Sequence, residues 1–465
     1  MKGKEKMLDT YDKAQVYIVI GGAWGDEGKG KVATYYSEYA DLTIRATGGA
    51  NAGHTVYFGG KKVALHLIPG GIGYEQTICL IGQGVALDLE VLFQEMKALT
   101  ELGVPDVRRR LFISGMATVV MPYHKELDKL KEKMRDNKVG TTGRGIGPAY
   151  TDKVSRDGLV VFHLLDKVEN LEKVIANAVK SHNILFRECG MKEVVVDPHE
   201  LAVKYHEYGE SIRDMVVEGH PFVRKFVNDQ NKTIVVEGAQ AVMLSIEVGD
   251  RPRYVTSSDS NINGTLSGAH LNWNEPTEVV MTLKGYFSRV GNGPFYGELP
   301  AHIGDDGTLI PFEADKAYVG DLLRDKAGEY GATTGRPRRV GDFDAVVAKY
   351  AAEVSGATYL CINHIDTIGK FGLERGSVQI IVSYEYMGEV IDYYPFDTIA
   401  THEIPKPHTR ITMPGWKVEK ETTDYEELPV SARKYIETIE KLVGVPVKYI
   451  GIGPKNEDMI VRSDV

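Results

Sequence analysis

Short apolar runs alternate with longer amphipathic stretches along most of this chain. QVYIVIGG, LTIRA, TICLIG, LFISG, TIVVEG, VVMTLKG and TYLCIN are rich in β-branched residues and end in glycine or polar residues, which predicts strands. Between them, LEVLFQEMKALTELG and HKELDKLKEKMRD repeat apolar positions at helical spacing. Strands interleaved with helices predict an α/β fold with a large, mostly parallel, doubly wound sheet. Many runs stop at a glycine, at the strand ends where such sheets bind ligands. Residues from about 171 to 231 are polar and helical, and TIVVEG resumes directly after them. They read as a helical insertion within one domain spanning 15–465. Residues 367–427 lean towards β patterning (VQIIVSYEYMG), predicting smaller β-containing C-terminal elements. The helix VSARKYIETIEKLVG then leads into the strand VKYIGIG. Residues 1–14 are a polar N-terminal extension that reads as a tail.

Composition narrows the classes. Of 465 residues, 43% are apolar and 26% charged, ordinary for a globular protein. A net charge of −10 argues against nonspecific nucleic-acid binding, though not against a local pocket for a small anion. Cys79, Cys189 and Cys361 lie too far apart in sequence for a disulfide framework or a metal motif, which points to a reducing compartment. No run of about 18 apolar residues offers a membrane span, and a cytoplasmic protein is expected.

Five loops carry candidate chemistry. Gly21 to Lys31, GGAWGDEGKGK, follows a strand and precedes a helix. Its glycines let backbone N–H groups approach an anion, and the helix dipole, Lys29 and Lys31 favour a phosphate. It is not the pattern G-x-x-x-x-G-K-[ST], and an ordinary βα turn is the bland alternative. Asp26 in its middle would repel phosphate unless it holds a cation or moves a proton. Gly48 to Thr55 is a second glycine-rich turn, with His54 as a candidate acid or donor, or else a loop histidine bonded to backbone. Gly140 to Pro148 offers Thr hydroxyls and Arg144, followed by Asp152, Lys153 and Arg156. It is either a phosphate loop or a surface loop. Gln240, after TIVVEGA, pairs a donor with an acceptor as a nucleobase edge requires. Gly331 to Arg339, GATTGRPRR, carries three arginines suited to carboxylates or phosphates and could close over an anion. Together the loops predict an enzyme acting on several anionic groups, a nucleotide among them.

With WGDEGKGK, NAGHTV, LHLIPGG, PYHKELD, GTTGRGIGPAYTDKVSRDG, VEGAQ with VTSS, RVGNGPF and GATTGRPRR in order from about residue 15 to 460, the chain resembles the adenylosuccinate synthetase family. The resemblance implies a P-loop NTPase-like fold. It implies a ligase of purine synthesis that couples GTP hydrolysis to joining IMP and L-aspartate through 6-phosphoryl-IMP. Asp26 would take the N1 proton of IMP, and His54 would stabilise charge on the departing phosphate. Mg2+ would sit between Asp26 and the Gly53 carbonyl. IMP would be held by Asp26, Lys29, Asn51, His54, Thr142, Gln240, Thr256 and Arg336. Arg156 would reach the IMP phosphate of the neighbouring subunit in a homodimer. Aspartate would meet Ala332, Thr333, Thr334, Arg336 and Arg338. GTP would meet Gly25, Glu27, Gly28, Lys29, Gly30, Lys31, Gly53, Thr55, Arg338, His364, Asp366, Gly451 and Gly453.

The departures from the family pattern are local. Ala23 replaces a usual Gln, and Ala50 a His. The stretch IEVGDRPRYVTSS carries one extra residue before Thr256. The guanine-reading TKLD is Asn363-His364-Ile365-Asp366 here, and the late loop reads Gly451-Ile452-Gly453-Pro454-Lys455-Asn456. Since the base-reading segments differ most, a relative using ATP or another purine monophosphate is the alternative. A nucleotide-binding regulator without turnover is a third reading, disfavoured by the presence of Asp26, Lys29 and His54.

Overall fold

The computed structural model describes residues 14–58, 61–136, 140–250, 254–289, 291–301, 318–330, 337–455 and 457–465. The side chains of 55–62 and of 193 are not described. The N-terminal extension, apart from Ala14, and residues 331–336 therefore lie outside the described residues.

Among the described residues, eleven strands build the main sheet. Ten of them follow one path, and Thr118–Val119 pairs beside it. In chain order they are β1 (Gln15–Gly21), β2 (Leu42–Gly49), β3 (Ile78–Leu87), β4 (Leu111–Ser114), β5 (Val216–Val217), β6 (Thr233–Glu237), β7 (Glu278–Lys284), β8 (Tyr359–Asn363), β9 (Val447–Gly451) and β10 (Met459–Val461). Their spatial order is β10-β9-β8-β7-β1-β6-β2-β3-β4-β5. Every pairing is parallel except the last, β9 with β10. All seven apolar runs, and VKYIG, are strands of this sheet. Burial on both faces explains their near-continuous apolar sequence.

The chain runs outward from β1 through β2 to β5, returns to β6, then crosses β1 to β7 and beyond. The direction reverses around β1, where open α/β sheets form their ligand crevice. Parallel pairing brings the loops after β1, β2, β6, β7, β8 and β9 to one edge.

The helices follow local signals. Asp88 caps Leu89–Glu101 by accepting from the N–H groups of Glu90 and Val91, and Asp344 caps Ala345–Ser355 in the same way. Gly356 and Gly444 end their helices in the left-handed region. Two large apolar clusters form the core. One joins β1, β7 and β8 to the helices Ala345–Ser355 and Val430–Val443. The other joins β3 and β4 to Leu89–Glu101, Pro122–Met134, Val168–Glu188 and Pro198–Ile212.

Two elements differ from the sequence reading. The stretch 171–231 is helical over Val168–Glu188, Pro198–Ile212 and Gly219–Val227, but it also supplies β5, which pairs with β4 at the sheet edge. A two-residue strand has no periodicity to read. Residues 367–375 belong to the helix Ile365–Arg375, set between His364 and Gly376, both at positive φ. The β character begins at Val378–Tyr386, which joins Phe343–Asp344, Glu389–Ile391 and Lys406–Met413 in a separate four-stranded sheet. No helix of the described residues is long and apolar enough to cross a membrane.

Candidate active site

The loop after β1 is held from within. Glu27 is almost fully buried, and its Oε1 accepts from the N–H groups of Ala23 at 3.2 Å and Gly25 at 2.7 Å. Its Oε2 accepts from Lys29 Nζ at 3.0 Å. The side chain of Glu27 thus shapes the loop from inside. Gly28 caps helix α1 (Lys29–Ser37) at φ 84°, and a Cβ there would come 2.8 Å from Asn363 Nδ2. That same Nδ2 donates to the Glu27 carbonyl at 2.8 Å, tying the loop to the end of β8. Gly25 lies at φ 97°. Gly30 lies in the first turn of α1. Lys31, two residues into α1, points along the sheet edge, and its ammonium donates to the carbonyls of Gly453 at 2.9 Å and Asp458 at 2.7 Å. Gly451 packs against Asn363. The late loop is therefore fastened to the first one through a side chain that the sequence suggested for phosphate.

Asp26 stands at φ 60°, a conformation that disfavours most side chains and is tolerated best by Asn and Asp. Its side chain is 40% exposed and pairs with Arg338 Nη2 at 2.7 Å. Arg338 also donates to Glu329 Oε2 at 2.9 Å. Glu329 is buried and accepts from Lys284 and from the Tyr286 hydroxyl. Burial alone would push its carboxyl up, but Lys284 and Arg338 outweigh it and hold it at about 2.

His54 opens the strand His54–Phe58 just after the second loop, and Thr55 follows it. Its side chain is 9% exposed and lies 3.8 Å from Glu237 Oε2. Among the described residues, neither ring nitrogen has a hydrogen-bond partner of ordinary geometry, although the Ile68 backbone lies near. Burial, then the Arg45 guanidinium, holds its pKa well below the usual imidazole range, so the ring is neutral at physiological pH. Glu237 accepts from Gly70 N–H at 2.9 Å, and Arg45 lies 3.9 Å from it. Burial pushes the Glu237 carboxyl up. Arg45 in turn donates to the Ala52 carbonyl at 2.9 Å. Among the described residues, Asn51 Oδ1 and Gln240 Oε1 are buried without a hydrogen-bond partner, and Gln240 sits at φ 60°. Unpaired buried acceptors are costly, and acceptors left open on adjoining strand-end loops can receive donors from a bound ligand.

Thr256 donates its N–H to the Leu244 carbonyl at 2.7 Å. Thr142 lines a separate cavity of about 430 Å³ with Lys129 and Lys133. Arg156 ends the helix Ile146–Ser155 at φ 71°, is exposed, and lines a cavity of about 350 Å³ with Lys153 and Met116. Neither cavity is lined by the first or second loop. Ala332, Thr333, Thr334 and Arg336 lie outside the described residues.

His364 caps the helix Ile365–Arg375 at φ 63°, edge-on to the Tyr286 ring at 5.6 Å. Burial drops its pKa from the ordinary 6.5 to about 4. Asp366 in the same first turn pairs with Lys370 at 3.2 Å. Because the unfolded imidazole protonates near 6.5 and the buried one only near 4, His364 contributes stability above pH 6.5. That contribution is lost as pH falls towards 4, at about 1.4 kcal/mol per pH unit. Asn tolerates this backbone. His364→Asn is expected to flatten the fall in unfolding free energy between pH 7 and 5, measured in urea. An unchanged slope would refute the assignment.

Sequence reasoning missed Arg45, Lys284 and Glu329, and it gave Glu237 and Asn363 no role of their own. Glu237 and Asn363 sit at strand ends beside motif residues, which is a usable signal. Lys284 and Glu329 are 45 residues apart and meet only on folding.

Phosphate-type loops gathered on the carboxyl edge of a doubly wound sheet, with an acid and a neutral histidine among them, place the chain with nucleotide-dependent α/β enzymes. A family model described as adenylosuccinate synthetase matches residues 18–460. The chain belongs to the adenylosuccinate synthetase family and is a ligase of purine biosynthesis. It is 40% identical over 446 residues to the adenylosuccinate synthetase of Acetivibrio thermocellus, covering 96% of this chain and 99% of that one. The Geobacillus sp. WCH70 protein of the same name is 39% identical over 450 residues, covering 96% and 98%. A solved structure described as fully ligated adenylosuccinate synthetase from Plasmodium falciparum superposes with a TM-score of 0.84 at 32% identity, covering 97% and 100% of the two chains.

Proposed function

We propose that this chain joins IMP and L-aspartate into adenylosuccinate with conversion of GTP to GDP and phosphate, through 6-phosphoryl-IMP. The observation that carries the reading is Asp26, a part-exposed carboxylate at positive φ, paired with Arg338 inside a phosphate-type loop where phosphate binding itself calls for no acid. In this reading Asp26 takes the N1 proton of IMP, so that O6 attacks the γ-phosphorus. His54, held neutral, gives an N–H to the oxygens that gain charge as the bond to GDP breaks. The aspartate amine then displaces phosphate from C6. The protein contributes mainly position and electrostatics.

IMP binding is assigned to Lys29, Asn51, Thr142, Gln240, Thr256 and Arg336, supported by the open acceptors of Asn51 and Gln240. Aspartate is assigned to residues 332–334, Arg336 and Arg338. GTP is assigned to the first loop, Gly53, Thr55, His364, Asp366, Gly451 and Gly453. Asp26 and the exposed Gly53 on the next loop are hard oxygen donors of the type magnesium takes alongside phosphate oxygens. They fit Mg2+, which when bound neutralises phosphate charge. Residues 15–465 are read as one unit, because strands from before and after the helical stretch share one sheet. The protein is read as cytoplasmic, with all three cysteines free.

Purified protein with Mg2+, IMP and aspartate is expected to form adenylosuccinate with GTP. Formation with ATP alone would favour the ATP-using alternative, and none with any nucleotide would end the reading. We also read the exposed Arg156 as serving the neighbouring site of a homodimer. Mixing inactive Arg156→Leu and Asp26→Asn chains should then restore up to about a quarter of wild-type activity, the share of sites made whole by random pairing. No recovery after subunit exchange would refute the shared site.

A further inference from the structure

Asp250 lies in the connection between β6 and β7, and no substrate role is assigned to it. Its carboxylate is buried. Oδ2 accepts from Trp24 Nε1 at 2.8 Å and from Arg289 Nη1 at 2.6 Å. Oδ1 accepts from the Tyr394 hydroxyl at 2.6 Å. All three partners are buried. Arg289 is itself fixed by the carbonyls of Asn292 at 3.1 Å and Pro294 at 2.7 Å, and its guanidinium lies 5.0 Å from the Trp24 ring centre. Phe287 packs edge-on to the indole at 5.9 Å and Phe295 lies tilted against it at 5.3 Å.

Trp24 directly precedes Gly25 and Asp26, at φ 97° and 60°. Asp tolerates that region better than most residues, so the direction of its carboxylate depends on how its neighbours hold the turn. Glu27 fixes the turn from one side, through the N–H groups of Ala23 and Gly25. The only polar group on the Trp24 side chain fixes it from the other, and its acceptor is Asp250. Tyr394 stands between two strands of the small C-terminal sheet, Glu389–Ile391 and Lys406–Met413, so the same carboxylate joins that sheet to the first loop.

We propose that Asp250 is a positioning residue: by anchoring the Trp24 indole it sets the turn that aims the Asp26 carboxylate. The inference rests on the reading of Asp26 as proton acceptor. Misplacement of a reacting group by about 1 Å costs up to about a hundredfold in rate. Asp250→Asn, which cannot accept from three donors at once, is expected to lower kcat about tenfold or more while the KM values for IMP, aspartate and GTP stay within about twofold. Trp24→Phe, which keeps an aromatic ring and removes the N–H, should do the same. The double variant should be no worse than the poorer single one, because both break one link.

The indole N–H resonance of Trp24 in proton–nitrogen spectra should move in Asp250→Asn, while those of Trp273 and Trp416 stay. A kcat within twofold of wild type despite a moved indole resonance overturns the positioning role, as do additive losses in the double variant. An indole resonance that does not move overturns the bond itself. If Asp250→Asn does not fold, Trp24→Phe carries the test. Should the wild-type chain turn over no purine nucleotide, the proposed function fails separately. The positioning role is then read from the Gly25 and Asp26 amide resonances, which must shift in both variants or the inference falls.

Discussion

Asp26→Asn is expected to lower kcat at least about a thousandfold and to leave the fold intact. General-base catalysis by a placed side chain is worth about a hundredfold to ten-thousandfold. Asn offers no proton acceptor of comparable basicity and is a poorer oxygen donor to a cation. The stability side of the prediction follows from the backbone. Asp26 sits at φ 60°, and Asn is among the few residues that adopt that region readily. The lost partner is Arg338, in a pair whose Asp26 side is 40% exposed. Such pairs contribute about 1 kcal/mol or less, and Arg338 keeps Glu329. Adenylosuccinate formation, followed by absorbance beside a urea titration, separates the two effects. A variant with kcat within tenfold of wild type would remove Asp26 from the chemistry.

The largest expected effect on stability lies one residue further from the cleft. Glu329 is the common acceptor for Lys284, Tyr286 and Arg338, and the side chains of Lys284 and Glu329 are 4% and 2% exposed. Removing one partner of a buried ion pair strands the other charge, at about 3–5 kcal/mol. Glu329→Gln should lose about that much unfolding free energy. Lys284→Met combined with Glu329→Gln should recover part of the loss, since the stranded ammonium goes with it. The pH dependence has a definite sign. The folded carboxyl titrates at about 2 against 4.5 ordinarily, so its contribution is complete above pH 4.5 and disappears as pH falls towards 2. A loss under 1 kcal/mol in Glu329→Gln would show that the network is not a buried charge pair. Because Arg338 also holds Asp26, the single variant should lose turnover even where it is fully folded.

The strands were readable because each is a compact apolar run buried on both faces, and their glycine ends marked the loops that carry the chemistry. The two-residue strand β5 was not, because it makes no pattern of its own and exists only by pairing with β4. The helix Ile365–Arg375 was blurred into a β-leaning segment, because its start depends on a histidine at positive φ rather than on a usual capping residue. At the site, Asp26 and His54 stood out through their loops. Glu27 and Lys31 fell within the same motif, yet the fold turns the first inward and fastens the second to Gly453 and Asp458.

By itself the sequence determined the alternation of strand and helix, the glycine-rich turns and the titratable residues they carry, since each depends on neighbours a few positions apart. Tertiary structure alone decided that these turns share one sheet edge, that His54 is neutral and that Asp26 faces Arg338. It alone gave Asp250 its hold on Trp24, 226 residues away. Those outcomes depend on burial and on charges brought together across hundreds of residues, and desolvation and Coulomb interaction act through space rather than along the chain.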